Sequence, residues 1–245
     1  MTRPRTLVTG GTRGIGAAIA ERLAEAGHDL VLGYVHDDAS AELAKAAVET
    51  HGTACTLVRA DLLTDEGVAA LFEGAGALTG VVNNAGATFH IGPLAETPVD
   101  VIRRTVDLNL TSAILVARAA VRTMSTAYGG SGGVLVNISS GAATKGAPGE
   151  YVQYAAAKAG VDALTLGLAE EVAQQGVRVV GVAPGMIRTT IHADAGEPGR
   201  LERVAPLIPL QRAGEPEEVA EAVAWLMSDA ASYVTGTTLR VVGGR

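Results

Sequence analysis

Short apolar runs rich in valine and leucine recur along the chain, at Thr6-Leu7-Val8, Leu30-Val31-Leu32, Val81-Val82 and Val134-Leu135-Val136, for example. Longer segments separate them, with alanine and leucine on one helical face and charged residues on the other. The short runs predict strands over 5–9, 29–35, 54–60, 79–83, 132–139, 177–183 and 237–242. The longer segments predict helices over 14–27, 38–51, 64–75, 101–127, 152–174 and 216–228. Strands that read as continuous apolar runs are buried on both faces, and their alternation with helices implies an α/β fold with a parallel sheet. Right-handed crossovers then give a single doubly wound sheet with helices on both faces, spanning 1–245, with ligands at the carboxyl ends of its strands. The one long irregular stretch, 186–212, carries Gly196, Pro198, Gly199, Pro206 and Pro209 and reads as a substrate loop.

Aromatic residues make up only 3% of the chain against 48% hydrophobic, so the core must be aliphatic. A net charge of −7, without a basic run, argues against nucleic acid as a partner. No apolar stretch is long enough to span a membrane and no signal-like segment is evident, which makes a cytoplasmic protein the expectation. In that compartment the triplets beginning at Asn109 and Asn137 are chance glycosylation matches. The single cysteine, Cys55, lies in an apolar run and reads as a buried, inert thiol. The five histidines form no ligand pair, so no metal site is expected.

Chemistry first appears at Thr9-Gly10-Gly11-Thr12-Arg13-Gly14-Ile15-Gly16, between the first strand and the first helix. Gly10 suits a tight turn, Gly14 a close approach of backbone to a pyrophosphate, and Gly16 close packing of helix on strand. The helix N-terminus adds free N–H groups and partial positive charge. This is a dinucleotide cradle of the Rossmann type; no Gly-Lys-Ser/Thr follows, so it is not a P-loop. Folds that prefer NAD(H) place an acid at the end of strand two, to bond the ribose 2′-hydroxyl. Tyr34 occupies that place, with Asp37 and Asp38 further into the loop. Arg13 offers a partner for a 2′-phosphate, its alternative being a solvated turn residue, so NADP(H) is expected over NAD(H).

Tyr154 and Lys158, four residues apart at the start of a predicted helix, share one face. A phenol exchanges protons with a substrate oxygen, but its ordinary pKa of about 10 is poorly matched to neutral pH. An ammonium at about 4 Å and an effective dielectric of about 20 stabilises the phenolate by roughly 4 kcal/mol. That is worth up to roughly three pK units. Tyr151 is the decoy: four residues on stands Ala155, which offers no ammonium.

The glycine spacing, Asn83-Asn84-Ala85-Gly86, Ser139-Ser140, Tyr154-x-x-x-Lys158 and Pro184-Gly185 stand in the order seen in the short-chain dehydrogenase/reductase family, and from residue 5 onward the chain resembles it. The resemblance implies an NADP(H)-dependent oxidoreductase interconverting a secondary alcohol and a carbonyl. It assigns Ser140 to hold the substrate oxygen, with Ser139 the competing serine, and Asn109 to hold a water beside the lysine, or else to bond its own helix backbone. Asp61, followed by Leu62, would bond the adenine, or else cap the helix near Thr64. Asn83, Ala85 and Gly86 would line the cofactor, whereas Asn84 has an equal claim to a structural role. Pro184, Gly185, Ile187 and Thr189 would fix the nicotinamide. Thr12 and Ile15 fall within the phosphate turn.

Two departures from the family, Arg178-Val179-Val180 before the PG turn and Val242-Gly243-Gly244 near the end, fall outside the expected chemistry. His90, Ile91, Met186, His192 and Leu201 are candidates to line a substrate site that suits a 3-oxoacyl thioester or similar ketone. A sugar dehydrogenase, or a non-enzymatic NADP(H) sensor or scaffold, are the alternatives. The family implies a homotetramer, in which long helices such as 101–127 and 152–174 pair across two-fold axes.

Overall fold

The computed structural model describes residues 3–245. Seven strands form one parallel sheet: β1 Arg5–Thr9, β2 Asp29–Tyr34, β3 Cys55–Arg59, β4 Gly80–Asn83, β5 Gly133–Ile138, β6 Val177–Pro184 and β7 Thr238–Val241. Their order is β3-β2-β1-β4-β5-β6-β7. The order reverses between β1 and β4, which opens a crevice at the carboxyl ends of those strands.

The connecting helices are α1 Gly14–Glu25, α2 Asp38–Glu49, α3 Asp65–Ala75, α4 Val99–Val106, α5 Ser112–Met124, α6 Ala142–Lys145, α7 Val152–Val172, α8 Ile191–Asp194, α9 Arg200–Val204 and α10 Pro216–Met227. Neighbouring residues on each central strand feed opposite layers. Val8, Leu32, Val82, Val136 and Val180 pack with Ile19 and Leu23 of α1 and Val219 and Val223 of α10. Leu7, Val31, Val81, Leu135 and Val179 pack with Leu71 of α3, Val116 of α5 and Val172 of α7. This two-sided burial explains why the strands carry no polar alternation.

Cys55 is buried at the first of these layers, and burial pushes its thiol up to about 12. The departure at Val180 is accommodated in the same way, since that side chain is wholly buried among aliphatic neighbours. Arg178 ties β6 to the end of α10 by donating to the Leu226 carbonyl at 2.8 Å.

Two expectations change. The helix expected over 101–127 is α4 and α5 joined by a π turn over Asp107–Thr111. Inside it the Asn109 amide donates to the Thr105 carbonyl at 2.9 Å and the Ser112 hydroxyl to the Leu108 carbonyl at 2.6 Å. Polar side chains that bond back to the preceding turn loosen the helical ladder there. The irregular stretch expected over 186–212 holds two short helices, α8 and α9, and is anchored where Ile187 pairs with Gly214.

Candidate active site

A cleft of about 1160 Å³ runs across the carboxyl ends of the strands. At one end lie Gly10, Thr12, Arg13, Gly14, Ile15 and Gly16, with Tyr34, Asp61 and Leu62 beside them. Ala85, Gly86, Pro184, Gly185, Ile187 and Thr189 lie along it, and Ser140, Tyr154 and Lys158 stand further on. One fold-level event thus gathers residues from all along the chain.

The phosphate turn has the features an anion needs. Gly14 sits at φ 51, a left-handed conformation that a side chain would strain. A Cβ on Gly16 would overlap the carbonyl of Gly10. Arg13, which precedes α1, makes no side-chain cap, so the first N–H groups of the helix remain free for a ligand. These features, with the length of the cleft, fit a dinucleotide.

The polar residues around the turn divide between cleft and scaffold. Asn84 lines the cleft but spends its side chain on β1, donating to the carbonyls of Thr9 at 2.9 Å and Gly10 at 3.2 Å. Asn83, expected at the cofactor, is not among the lining residues. It is buried, and its amide donates to Ala113 O at 2.9 Å and Asn137 Oδ1 at 3.1 Å. Strand alternation is the reason, because successive residues of β4 cannot face the same way. Thr64, not Asp61, caps α3, accepting from Gly67 N at 3.0 Å. Asp61 accepts from Leu63 N at 3.0 Å and keeps its place on the cleft wall.

Arg13 is 3.9 Å from Asp37. The Asp37 carboxylate also receives the amide and hydroxyl of Ser40, which hold its pKa below the usual carboxylate range. The neighbouring Asp38 carboxylate raises the phenol of Tyr34.

Tyr154 and Lys158 project from the first two turns of α7 and are both buried. Ser140, just beyond β5, lies on the same cleft, and its hydroxyl favours the ionised form of the Tyr154 phenol. Ser139 instead donates to the Lys158 carbonyl at 3.2 Å, inside the fold. Both serines line the cleft, but the Ser139 hydroxyl is committed to the helix backbone. The Lys158 ammonium donates to the Ile138 carbonyl at 2.9 Å and lies 5.7 Å from the centre of the Tyr154 ring.

The electrostatics differ from the expectation. Burial pushes the Tyr154 phenol well above its ordinary value, opposed only by the Ser140 hydroxyl. Burial likewise pulls Lys158 down to about 8. Both charged forms lose hydration here, and the ammonium is spent on a backbone carbonyl rather than on the phenol.

Asn109 is fully buried at the π turn. Its Oδ1 accepts from Ala87 N at 3.2 Å, and its Nδ2 donates to Ala87 O at 2.7 Å and to Thr105 O. The bond to Thr105 is the helix-backbone alternative foreseen for this residue. Gly86 keeps the space beside it open, since a Cβ there would come within 2.6 Å of Asn109 Oδ1 and 3.3 Å of Lys158 Nζ.

On the substrate side, Met186 and His192 line the cleft, whereas His90, Ile91 and Leu201 do not. Tyr151, set aside for want of an ammonium, also lines it. Its cationic partner is Arg200, whose Nη2 donates to the Tyr151 hydroxyl at 3.0 Å. Forty-nine residues separate the two, so no local spacing could have revealed the pair.

Residues 10–245 match the family model described as Enoyl-(Acyl carrier protein) reductase. The chain is 44% identical to the uncharacterized oxidoreductase YgfF of Escherichia coli (strain K12), over 98% of both chains. It is 40% identical to 3beta-hydroxysteroid dehydrogenase 1 of Eggerthella lenta, covering 97% of this chain and 92% of that one. To Glucose 1-dehydrogenase 2 of Bacillus subtilis the identity is 36%, over 100% and 95%. Among solved structures, the 3-ketoacyl-(acyl-carrier-protein) reductase of Brucella melitensis, complexed with NADH, superposes with a TM-score of 0.89 at 29% identity, covering 99% of this chain and 98% of that one. Matches of this length, over a cleft that fits a dinucleotide and reaches Ser140, Tyr154 and Lys158, make the protein a member of the short-chain dehydrogenase/reductase family, an oxidoreductase that acts on CH–OH groups with a nicotinamide cofactor.

Proposed function

We propose that the protein interconverts a secondary alcohol and a carbonyl with NADP(H), by way of Ser140, Tyr154, Lys158 and Asn109, and that its substrate is a 3-oxoacyl thioester or a similar ketone. The observation that carries this reading is the convergence of Ser140, Tyr154 and Lys158 on the cleft, with the Lys158 ammonium 5.7 Å from the centre of the Tyr154 ring. The bound nicotinamide supplies or accepts the hydride. In the reducing direction Ser140 holds the substrate oxygen, and Tyr154 gives that oxygen its phenolic proton. Burial keeps the phenol protonated until then. As negative charge develops on the phenol, the Lys158 ammonium stabilises it and also holds the cofactor's ribose. Asn109, wholly buried and outside the cleft lining, fixes the backbone at Ala87. A panel of ketones and thioesters, assayed by NADPH oxidation, tests the reading.

Lys158 sets a pH dependence. Its pKa is lowered from 10.5 to about 8, so the ammonium that the reduction uses is lost as pH rises through that value. We expect kcat/KM for carbonyl reduction to fall above about pH 8, because this parameter reports ionisations of the free enzyme. A profile that stayed flat to the ordinary lysine pKa of about 10.4 would rule out this role for Lys158.

The preference for NADP(H) rests on Arg13 at the adenosine end and on the lack of an acid at Tyr34. Asp37 now shares the charge of Arg13, and a 2′-phosphate would replace that carboxylate as its partner. Arg13→Ala should weaken NADPH binding by about tenfold, the worth of one charge-assisted hydrogen bond of about 1.5 kcal/mol, with little change for NADH. Titrating both cofactors against both proteins checks this, and equal NADPH affinity would remove the argument.

A sugar dehydrogenase is the second reading, favoured by the 36% identity to Glucose 1-dehydrogenase 2, and oxidation of sugars with NADP+ separates the two. We also propose a cytoplasmic homotetramer. Among the described residues no helix is long and apolar enough to cross a membrane, and Ile114 of α5 and Leu166 of α7 present apolar surface suited to subunit contact. Sedimentation tests the assembly.

A further inference from the structure

Arg200 is 1% exposed, yet it belongs to a short helix of the substrate loop and lines the cleft. Its Nη2 donates to Glu150 at 2.5 Å and to the Tyr151 hydroxyl at 3.0 Å, and its Nη1 donates to Glu197 at 2.8 Å. Arg203 donates to the same Glu197. Two arginines therefore face two glutamates, and the group carries no net charge.

The pairing leaves donors unused. A phenol oxygen that accepts from a guanidinium must point its own O–H elsewhere. Among the described residues the Tyr151 hydroxyl takes part in no hydrogen bond other than this one. The buried Nε of Arg200 also lacks a partner. A donor left without an acceptor is unfavourable, so the group is short of an oxygen. The Tyr151 ring stands edge-on to the Tyr154 ring, with centroids 5.5 Å apart, and both tyrosines line the same cleft.

We infer that Tyr151, held by Arg200, forms a second substrate subsite that donates a hydrogen bond to a neutral oxygen of the substrate, a carbonyl or hydroxyl near the one being reduced or oxidised. Neutrality follows from the ion pairs. The guanidinium charge is already met by Glu150 and Glu197, so a carboxylate arriving there would face two others. Arg200 acts as a positioning residue: it fixes the Tyr151 oxygen as an acceptor and so aims the proton into the cleft. An arrangement that served only to tie down the loop would be complete with the two glutamates. The inference rests on the oxidoreductase reading above and adds to it a class of substrate, ketones or alcohols that bear a second neutral oxygen.

The test compares cyclohexanone with the isomeric cyclohexanediones, using NADPH and two proteins, wild type and Tyr151→Phe. Phenylalanine keeps the ring and its packing and removes only the hydroxyl. The ratio of kcat/KM for the best dione to that for cyclohexanone should fall by roughly tenfold in Tyr151→Phe, mainly through a higher KM for the dione. In a parallel thermal-shift measurement the dione should stabilise the NADP-loaded wild type and not the variant. Equal ratios in the two proteins would overturn the subsite and leave the reductase reading standing. A thermal shift lost in the variant, without turnover of any ketone, would support the subsite and count against the reductase reading. Absence of both turnover and shift would overturn both.

Discussion

Tyr154→Phe should lower carbonyl reduction by about 10²–10⁴-fold, the usual contribution of a positioned acid or base, while cofactor affinity stays within a few-fold. The substitution removes one oxygen from a buried ring. That ring keeps its edge-on contact with Tyr151, so the fold should survive. The Ser140 hydroxyl stays just beyond β5, held by the bond it accepts from Ala142 N at 3.1 Å. Ser140 can therefore still hold a substrate oxygen with no proton to give it. The expected signature is a collapse of kcat with little change in KM, since an interaction made only in the transition state has gone. Steady-state kinetics with NADPH and any ketone the wild type accepts, alongside a direct cofactor titration, would show it. A variant that reduced that ketone as fast as wild type would end the mechanism.

Gly16→Ala should be the most damaging change at the cofactor end. The added Cβ overlaps the Gly10 carbonyl and comes within 2.7 Å of the Asn84 amide. Neither can retreat, because Gly10 is part of the phosphate turn and Asn84 is bonded to the backbone at both Thr9 and Gly10. Over-packing of this kind costs about 1–3 kcal/mol. In a chain of this size each kcal/mol lowers Tm by about 2–4 °C. Affinity should suffer as well, since α1 must move away from the turn and its free N–H groups move with it. The measurements are Tm without cofactor and a titration with NADPH. Gly199→Ala is the control: a Cβ there meets nothing within 4 Å, and the change should stay within about 0.5 kcal/mol. If both variants behaved like wild type, the close approach of helix to turn would not be what Gly16 provides.

Much of the architecture was already written into the order of residues. Continuous aliphatic runs fixed the strands to within one or two residues, because a strand covered on both faces needs apolar side chains on both. Glycine at 10, 14 and 16 marked the phosphate turn, because only backbone without a Cβ fits there. The helical spacing of Tyr154 and Lys158 marked the proposed catalytic face, because residues four apart lie on one side of a helix.

What the sequence left open was decided by packing. Ser139 and Ser140 both reach the cleft, and packing against α7 commits the Ser139 hydroxyl to the Lys158 carbonyl. Asn83 turns into the sheet, and the ladder of α4 and α5 breaks at Asn109, each through bonds to distant or back-bonded carbonyls. The state of the tyrosine–lysine pair also lay beyond reading, since spacing gives proximity but not hydration, and burial rules both pKa values. The pairing of Tyr151 with Arg200 is the clearest case: no periodicity spans forty-nine residues, and only the folding of the substrate loop over α7 brings the guanidinium to the phenol. Local chemistry travels with the chain, whereas burial and long-range partners exist only once the chain has closed on itself.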